Sequence, residues 1–423
     1  MSDFKLACSY LKSRLLVTLL IVLSVALGLG LATMVLTLSH QATDMLRRET
    51  ARWDIIVGAK GSPLQLVLNG LYYLDAPTGN IDLELWEHLR EDPAVALAVP
   101  LTMGDNYFGW PIVGTMPEFL TARESDDALL KSGRIFNQPF EIVAGAEVAA
   151  RQQLRLGQQV VGAHGWGKSD DLHPDSPYTV VGILAPTGTS LDRALYTDYH
   201  STWLVHTHGH EEEAAHESEE GVPADDEGAH EHEHEHAHHD GGQEITLLLV
   251  RLHQPGHRFR LTEALNAEGA AQAVIPVDEI NRLEMMFIRP MQNVLLVVAY
   301  LVVIVSALSI LISLYLSIHQ RQRDIAVLRS LGATQGDVFR LITVEAALLS
   351  GLGVLFGWLL GRGILSLGSP WCQAQFGITL ADWSMRPAEL IIMGSVWALG
   401  ILAGLLPAIV AYRLPVAEIL TKE

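Results

Sequence analysis

Four apolar runs limit what this chain can become. Residues 15–39, 291–317, 338–367 and 388–412 are mostly aliphatic, and at about 1.5 Å of rise per residue each is long enough to cross a hydrocarbon layer of about 30 Å. A chain with one such run early and three late reads as a membrane protein with an α-helical four-span transmembrane domain. The first run exceeds the apolar stretch of about 7–15 residues usual in a secretory signal, and no small-residue cleavage site follows it. It is therefore expected to be a retained anchor.

The basic residues beside the spans set the expected orientation. Lys5, Lys12 and Arg14 precede the first run, Arg321, Arg323, Arg329 and Arg340 lie between the second and third, and Arg413 and Lys422 follow the fourth. The positive-inside rule puts these three clusters on one side. Residues 1–14, 318–337 and 413–423 are thus expected in the cytoplasm, with 40–290 and 368–387 outside. Arg47, Arg48, Arg52 and Lys60 point the other way, but they head a very long soluble region, where the rule weakens.

The external stretch is long enough to hold a core of its own. Trp53-Asp54-Ile55-Ile56-Val57-Gly58 and Tyr178–Leu184 read as strands, residues 83–90 as a short helix, and residues 278–289 as an amphipathic helix leading into the second span. The expected fold is a mixed α+β extracytoplasmic domain. The net charge of -20 is largely local: no Lys or Arg occurs between Arg193 and Arg251, and most of the acidic excess falls in that gap. It gives no reason to expect nucleic acid as a partner. Cys8 and Cys372, the only two cysteines, flank spans on opposite expected faces and cannot pair within one chain.

Between the second and third runs lies Arg321-Gln322-Arg323-Asp324-Ile325-Ala326-Val327-Leu328-Arg329-Ser330-Leu331-Gly332-Ala333-Thr334. Ile325, Leu328 and Leu331 recur at helical spacing beside Arg321, Asp324 and Arg329, which makes an amphipathic helix. Gly332 suits a left-handed helix end, and Thr334 with Asp337 reads as the cap of the next helix. Taken alone, the segment is also an ordinary positive-inside loop.

This loop, together with the order of one span, a large external domain and three spans, resembles the permease subunits of the MacB/FtsX/LolCE superfamily of ABC transporters. Gly145-Ala146-Glu147-Val148-Ala149, Leu154-Arg155-Leu156-Gly157 and Tyr178–Leu184 are similar to the core pattern of the MacB-type periplasmic domain. The resemblance implies a multi-pass protein of the bacterial inner membrane, embedded in membrane lipids, with both termini cytoplasmic. It implies a separate ABC ATPase that carries the ATP, a second permease chain, most simply a second copy, and mechanotransmission. Carried onto this sequence, Ile325, Leu328 and Leu331 would seat in the ATPase groove, with Arg321, Arg323, Asp324 and Arg329 at its rim and Gly332 and Ala333 forming the turn.

No ATPase site of the chain's own is expected. Gly162-Ala163-His164-Gly165-Trp166-Gly167-Lys168-Ser169 spells a phosphate-loop pattern. That loop requires a helix to open at its Lys-Ser, and here two prolines and three carboxylates follow instead. No catalytic residue and no intrinsic cofactor are expected.

A histidine tract is the other distinctive feature. His206, His208, His210 and His216 are followed by His230, His232, His234, His236, His238 and His239, interleaved with glutamates. The composition of residues 206–242 predicts a disordered loop. Neutral imidazoles beside carboxylates suit zinc, with nickel and copper open, and no Cys or Met in the tract selects copper(I). His164, His173 and His200 are candidate additions to such a site. Three functions compete: an ABC permease subunit linked to zinc or to a zinc-binding periplasmic protein; a lipoprotein, lipid or peptide extrusion permease with an incidental tract; and an FtsX-like regulator of a cell-wall hydrolase.

Overall fold

The computed structural model describes residues 3–121, 129–166, 171–205, 243–376 and 383–413. The histidine tract therefore lies outside the described residues. The chain divides into two compact units, Met1–Thr43 with Glu284–Glu423, and Asp44–Leu283.

Four helices are long and apolar enough to cross a membrane: Leu15–Thr50, Pro276–Gln320, Gln335–Gln373 and Pro387–Tyr412. The first continues past residue 39 because residues 40–50 contain neither Pro nor Gly and propagate a helix well. The third persists through Pro370 to Phe376; a proline deletes its own N–H, but the flanking turns hold. The expected helix over 278–289 forms and runs on into the second span, with one irregular turn. Helix Pro276–Leu283 gives way to a π-turn over Glu284–Ile288 before helix Arg289–Gln320. Pro290 accounts for the π-turn, since it has no N–H for a regular α-helical bond.

Small residues let these helices approach closely. A Cβ at Gly353 would lie 2.6 Å from the Val25 Cβ, and one at Gly357 would lie 2.9 Å from the Ala26 carbonyl oxygen. Backbone contact of this kind favours association in lipid, where apolar burial alone gives little. Leu16, Leu20, Leu301, Leu308 and Leu402 remain exposed, as surfaces facing hydrocarbon should. Among the described residues an ion pair is enclosed: Arg362 Nη2 lies 2.7 Å from Glu389 Oε1, and each residue is 1% exposed. The same nitrogen donates to the Ser384 carbonyl, and the Thr37 hydroxyl donates to Glu389.

The second unit is built on a mixed sheet. Its strands are β1 (Ile55–Gly58), β2 (Ile81–Asp82), β3 (Val95–Tyr107), β4 (Trp110–Thr115), β5 (Leu130–Gly133), β6 (Glu141–Ala144), β7 (Gln159–Val160), β8 (Ala163–His164), β9 (Tyr178–Leu184), β10 (Leu195–Asp198), β11 (Glu244–Ile245), β12 (Leu247–Leu252) and β13 (Gln272–Val274). The main sheet runs β13-β1-β12-β3-β4-β10-β6-β9-β5, with β7 on β9 and β8 on β3, while β2 and β11 pair separately. The β4–β10 and β6–β9 pairs are parallel and the others antiparallel.

The central strands are buried on both faces, so they read as continuous aliphatic runs. Ile56, Leu247 and Leu249 face one cluster with Leu66, Val67 and Leu71 of helix Pro63–Tyr72. Ile55, Val57, Leu248 and Val250 face another with Trp86 and Leu89 of helix Glu84–Glu91 and Leu261 and Leu265 of helix Arg258–Glu268. The period-2 alternation of strand side chains sorts neighbouring residues onto opposite faces in this way.

Candidate functional site

Two places gather polar side chains that the fold does not need for its core. The first is the turn between helices Arg289–Gln320 and Gln335–Phe376. The chain breaks at Arg321, resumes as helix Gln322–Ser330 and turns at Gly332 with φ +108°, a conformation in which a Cβ is strained. Thr334 and Asp337 then close reciprocally. The Thr334 N–H donates to Asp337 Oδ2 at 2.9 Å, and the Asp337 N–H donates to Thr334 Oγ1 at 3.2 Å, which satisfies two orphan donors of the next helix. The Thr334 hydroxyl bond, more than any other influence, pulls the Asp337 carboxyl below its usual pKa.

Arg321 fixes the near end. Its guanidinium sits 3.9 Å from the Tyr10 ring centroid and donates to Ser13 Oγ at 3.3 Å, so helix Asp3–Ser13 braces the turn. Ile325 is half-buried and packs against the helical cluster, and Ala326 is buried beside it. Arg323, Val327 and Leu331 are exposed. Their i, i+4, i+8 spacing makes one outward stripe on this turn. Arg329 and Ala333 are half-buried, and the side chains of Asp324 and Leu328 lie outside the described residues. Sequence periodicity singled out Ile325 but overlooked Val327, whose spacing from Leu331 was the available signal.

The second place lies in the external sheet. A bulge in β3 shifts the register between Met103 and Asp105, and bulges commonly re-aim a side chain. Asp105 then faces His164 across the antiparallel β3–β8 pair. The backbone brings in a third group: the His164 N–H donates to the Asp171 carbonyl at 2.7 Å, and the His173 N–H donates to that of Gly162 at 2.9 Å. The Asn106 amide holds the loop by donating to Ala163 and Gly165 carbonyls. His164 Nδ1 lies 3.5 Å and His173 Nε2 3.7 Å from Asp105 Oδ1. One ligand atom from each residue fits within 4.8 Å of the others, an arrangement able to hold a metal ion. Burial first, and the Asp105 charge second, push the Tyr178 phenol far above its usual pKa.

Asp105 and His164 also line a cavity of about 260 Å³ together with Trp203 and Glu244. The Trp203 indole N–H donates to the Glu244 carbonyl at 2.7 Å. His200 is placed elsewhere: its Nδ1 is 2.6 Å from Asp198 Oδ1, and its ring lies against Tyr199. Of the three described histidines singled out from sequence, the structure thus joins His164 and His173 to Asp105 and leaves His200 with Asp198. Asp105 was missed. It sits in an apolar run, where a carboxylate after a glycine was the available cue. The His206 to His239 set lies outside the described residues. In the phosphate-loop look-alike, Ala163–His164 forms a strand and Ala163 bridges Leu172, so these described residues are extended where the loop would wrap a phosphate.

Two families match the chain. Residues 18–221 match the MacB-like periplasmic core domain, and residues 296–416 match the FtsX-like permease C-terminal domain. The lipoprotein-releasing system transmembrane protein LolC of Neisseria meningitidis is 29% identical over 130 residues, 28% of this chain and 31% of LolC. The pyoverdine export ATP-binding/permease protein PvdT of Pseudomonas putida is 27% identical over 307 residues, 69% of this chain and 40% of PvdT. The match thus spans less than half the length of either relative. The crystal structure of the periplasmic region of MacB from Actinobacillus actinomycetemcomitans overlaps 56% of this chain and 97% of that one, at 11% identity and a TM-score of 0.34.

Proposed function

The chain belongs to the MacB/FtsX superfamily of ABC-transporter permeases, and from that premise we propose that it couples ATP hydrolysis by a separate ATPase to conformational work in the periplasm, in a system that handles zinc or a zinc-binding periplasmic protein. The observation that carries the coupling is the exposed Arg323–Val327–Leu331 stripe on a helix braced by Arg321 and ended by Gly332. A push on this helix is delivered to the ends of two long apolar helices at once. Ile325 and Ala326 hold it to the bundle, and the outward stripe offers an apolar seat with a basic rim. Two permease chains over two ATPase chains make the simplest assembly, in an inner membrane with both termini cytoplasmic. The chain itself is a non-catalytic subunit.

The zinc link is supported by ten histidines placed among carboxylates in residues 206–242. The names of LolC and PvdT favour a second reading, a lipoprotein, lipid or peptide extrusion permease with an incidental tract.

Leu331→Asp tests the coupling. In nanodiscs with the ATPase, it should lower permease-stimulated ATP hydrolysis at least about tenfold, the loss of one interface anchor. Its own unfolding should change by less than about 0.5 kcal/mol, because Leu331 is exposed. Leu328→Asp should act alike. Undiminished stimulation in both variants rejects the assignment. Zinc-dependent hydrolysis that disappears on deleting residues 206–242 supports the zinc reading; lipoprotein mislocalisation in a knockout, with normal growth of the tract deletion under zinc starvation, supports the second.

A further inference from the structure

The geometry points to an ordered binding site for a divalent transition-metal ion of the zinc class, formed by Asp105, His164 and His173 and separate from the histidine tract. Spacing is the first ground. Two donors about 2.0–2.1 Å from a shared tetrahedral ion stand about 3.3–3.5 Å apart, and Asp105 Oδ1 stands 3.5 and 3.7 Å from the two imidazole nitrogens. A direct hydrogen bond would draw them closer, to about 2.7–3.2 Å. His200 and Asp198 in the same domain show that closed arrangement, at 2.6 Å.

Donor chemistry is the second ground. Two imidazoles and one carboxylate suit zinc with one position left open, while a hard cation such as magnesium would call for more oxygen ligands. The third ground is preorganisation. The bulge before Asp105, the β3–β8 pair, the backbone bonds of His164 and His173 and the Asn106 clamp all set the ligands before any ion arrives. An ion entering here loses little conformational entropy to ordering the protein, unlike one wrapped by an unstructured segment.

Location supplies a fourth. Asp105 and His164 open onto a cavity also lined by Trp203 and Glu244, and those two residues flank the tract at residues 206–242 on either side. The site's purpose, to receive the ion the tract collects, rests on the zinc-linked reading above. Its binding stands on its own geometry.

The test uses the full chain in nanodiscs with residues 206–242 replaced by a short Gly-Ser linker. The hydrogen bond between Trp203 and Glu244 shows that the two ends are close enough to join. Cobalt(II) is titrated and followed by its visible absorption, then displaced by zinc against a chromogenic chelator. One equivalent should bind per chain. Asp105→Asn and His164→Ala should each weaken it at least about 100-fold, the upper end of what losing a mere outer partner costs. The His164 side chain is 54% exposed, so that variant leaves the core intact. Zinc should raise the unfolding temperature of the parent but of neither variant.

No stoichiometric cobalt in the tract-less chain, or equal affinity in both variants, overturns the site. The zinc-linked reading fails separately. If ATP hydrolysis by the complex ignores zinc while cobalt still binds through Asp105, the site stands and its proposed purpose falls. If hydrolysis depends on zinc but the triad binds none, the reverse holds.

Discussion

Glu389 and Asp105 are equally buried, each 1% exposed, yet the fold treats them differently. Glu389 is closed by Arg362 at 2.7 and 2.8 Å through both carboxylate oxygens. Asp105 faces two imidazoles at distances too long for hydrogen bonds. Burial alone therefore does not tell these two carboxylates apart. Partner spacing does, because one carboxylate sits in direct contact with a guanidinium and the other stands from two imidazoles at about the spacing of donors around a shared ion.

The largest expected effect is on the closed side. Glu389→Ala should cost about 3–5 kcal/mol by leaving Arg362 charged and enclosed, whereas Arg362→Leu with Glu389→Met should be nearly neutral or stabilising. Denaturant unfolding of the two variants in detergent reads the contrast. A loss below about 1 kcal/mol in the single variant would remove the distinction. Next comes Asp105→Asn without metal, expected to cost about 1 kcal/mol, the worth of an ordinary polar contact. A cost as large as that of Glu389→Ala would erase the contrast between the two carboxylates. The smallest belongs to His200→Ala. Its pair with Asp198 is exposed, so the stability change should stay below about 1 kcal/mol, with cobalt binding unaltered. Loss of cobalt binding in that variant would enlarge the site beyond Asp105, His164 and His173.

Local signals were legible wherever the cause was local. The reciprocal bonds of Thr334 and Asp337 and the left-handed Gly332 follow from side-chain reach and backbone sterics over a few residues, and the structure contains them. The strand of Tyr178–Leu184 was likewise readable from its own pattern. The inward and outward faces of helix Gln322–Ser330 were less so. Periodicity grouped Ile325 with Leu331, but contact with the bundle claims Ile325 and leaves Leu331 outside. Helix ends also escaped. Nothing in residues 40–50 stops a helix once it has begun, and hydropathy registers only where lipid would end.

The sequence by itself determined the four apolar helices, the charged turn between two of them, and a concentration of imidazoles between Arg193 and Arg251. Each is set by composition or by spacing within a turn or two. Only the tertiary structure decided that Asp105 meets His164 and His173, and that Arg362 meets Glu389. The first meeting depends on a bulge and a pairing register between distant strands, and the second on two helices packing closely enough to exclude water around a charge. Neither is encoded in a local period, since the free energy that fixes each partner comes from segments far away along the chain.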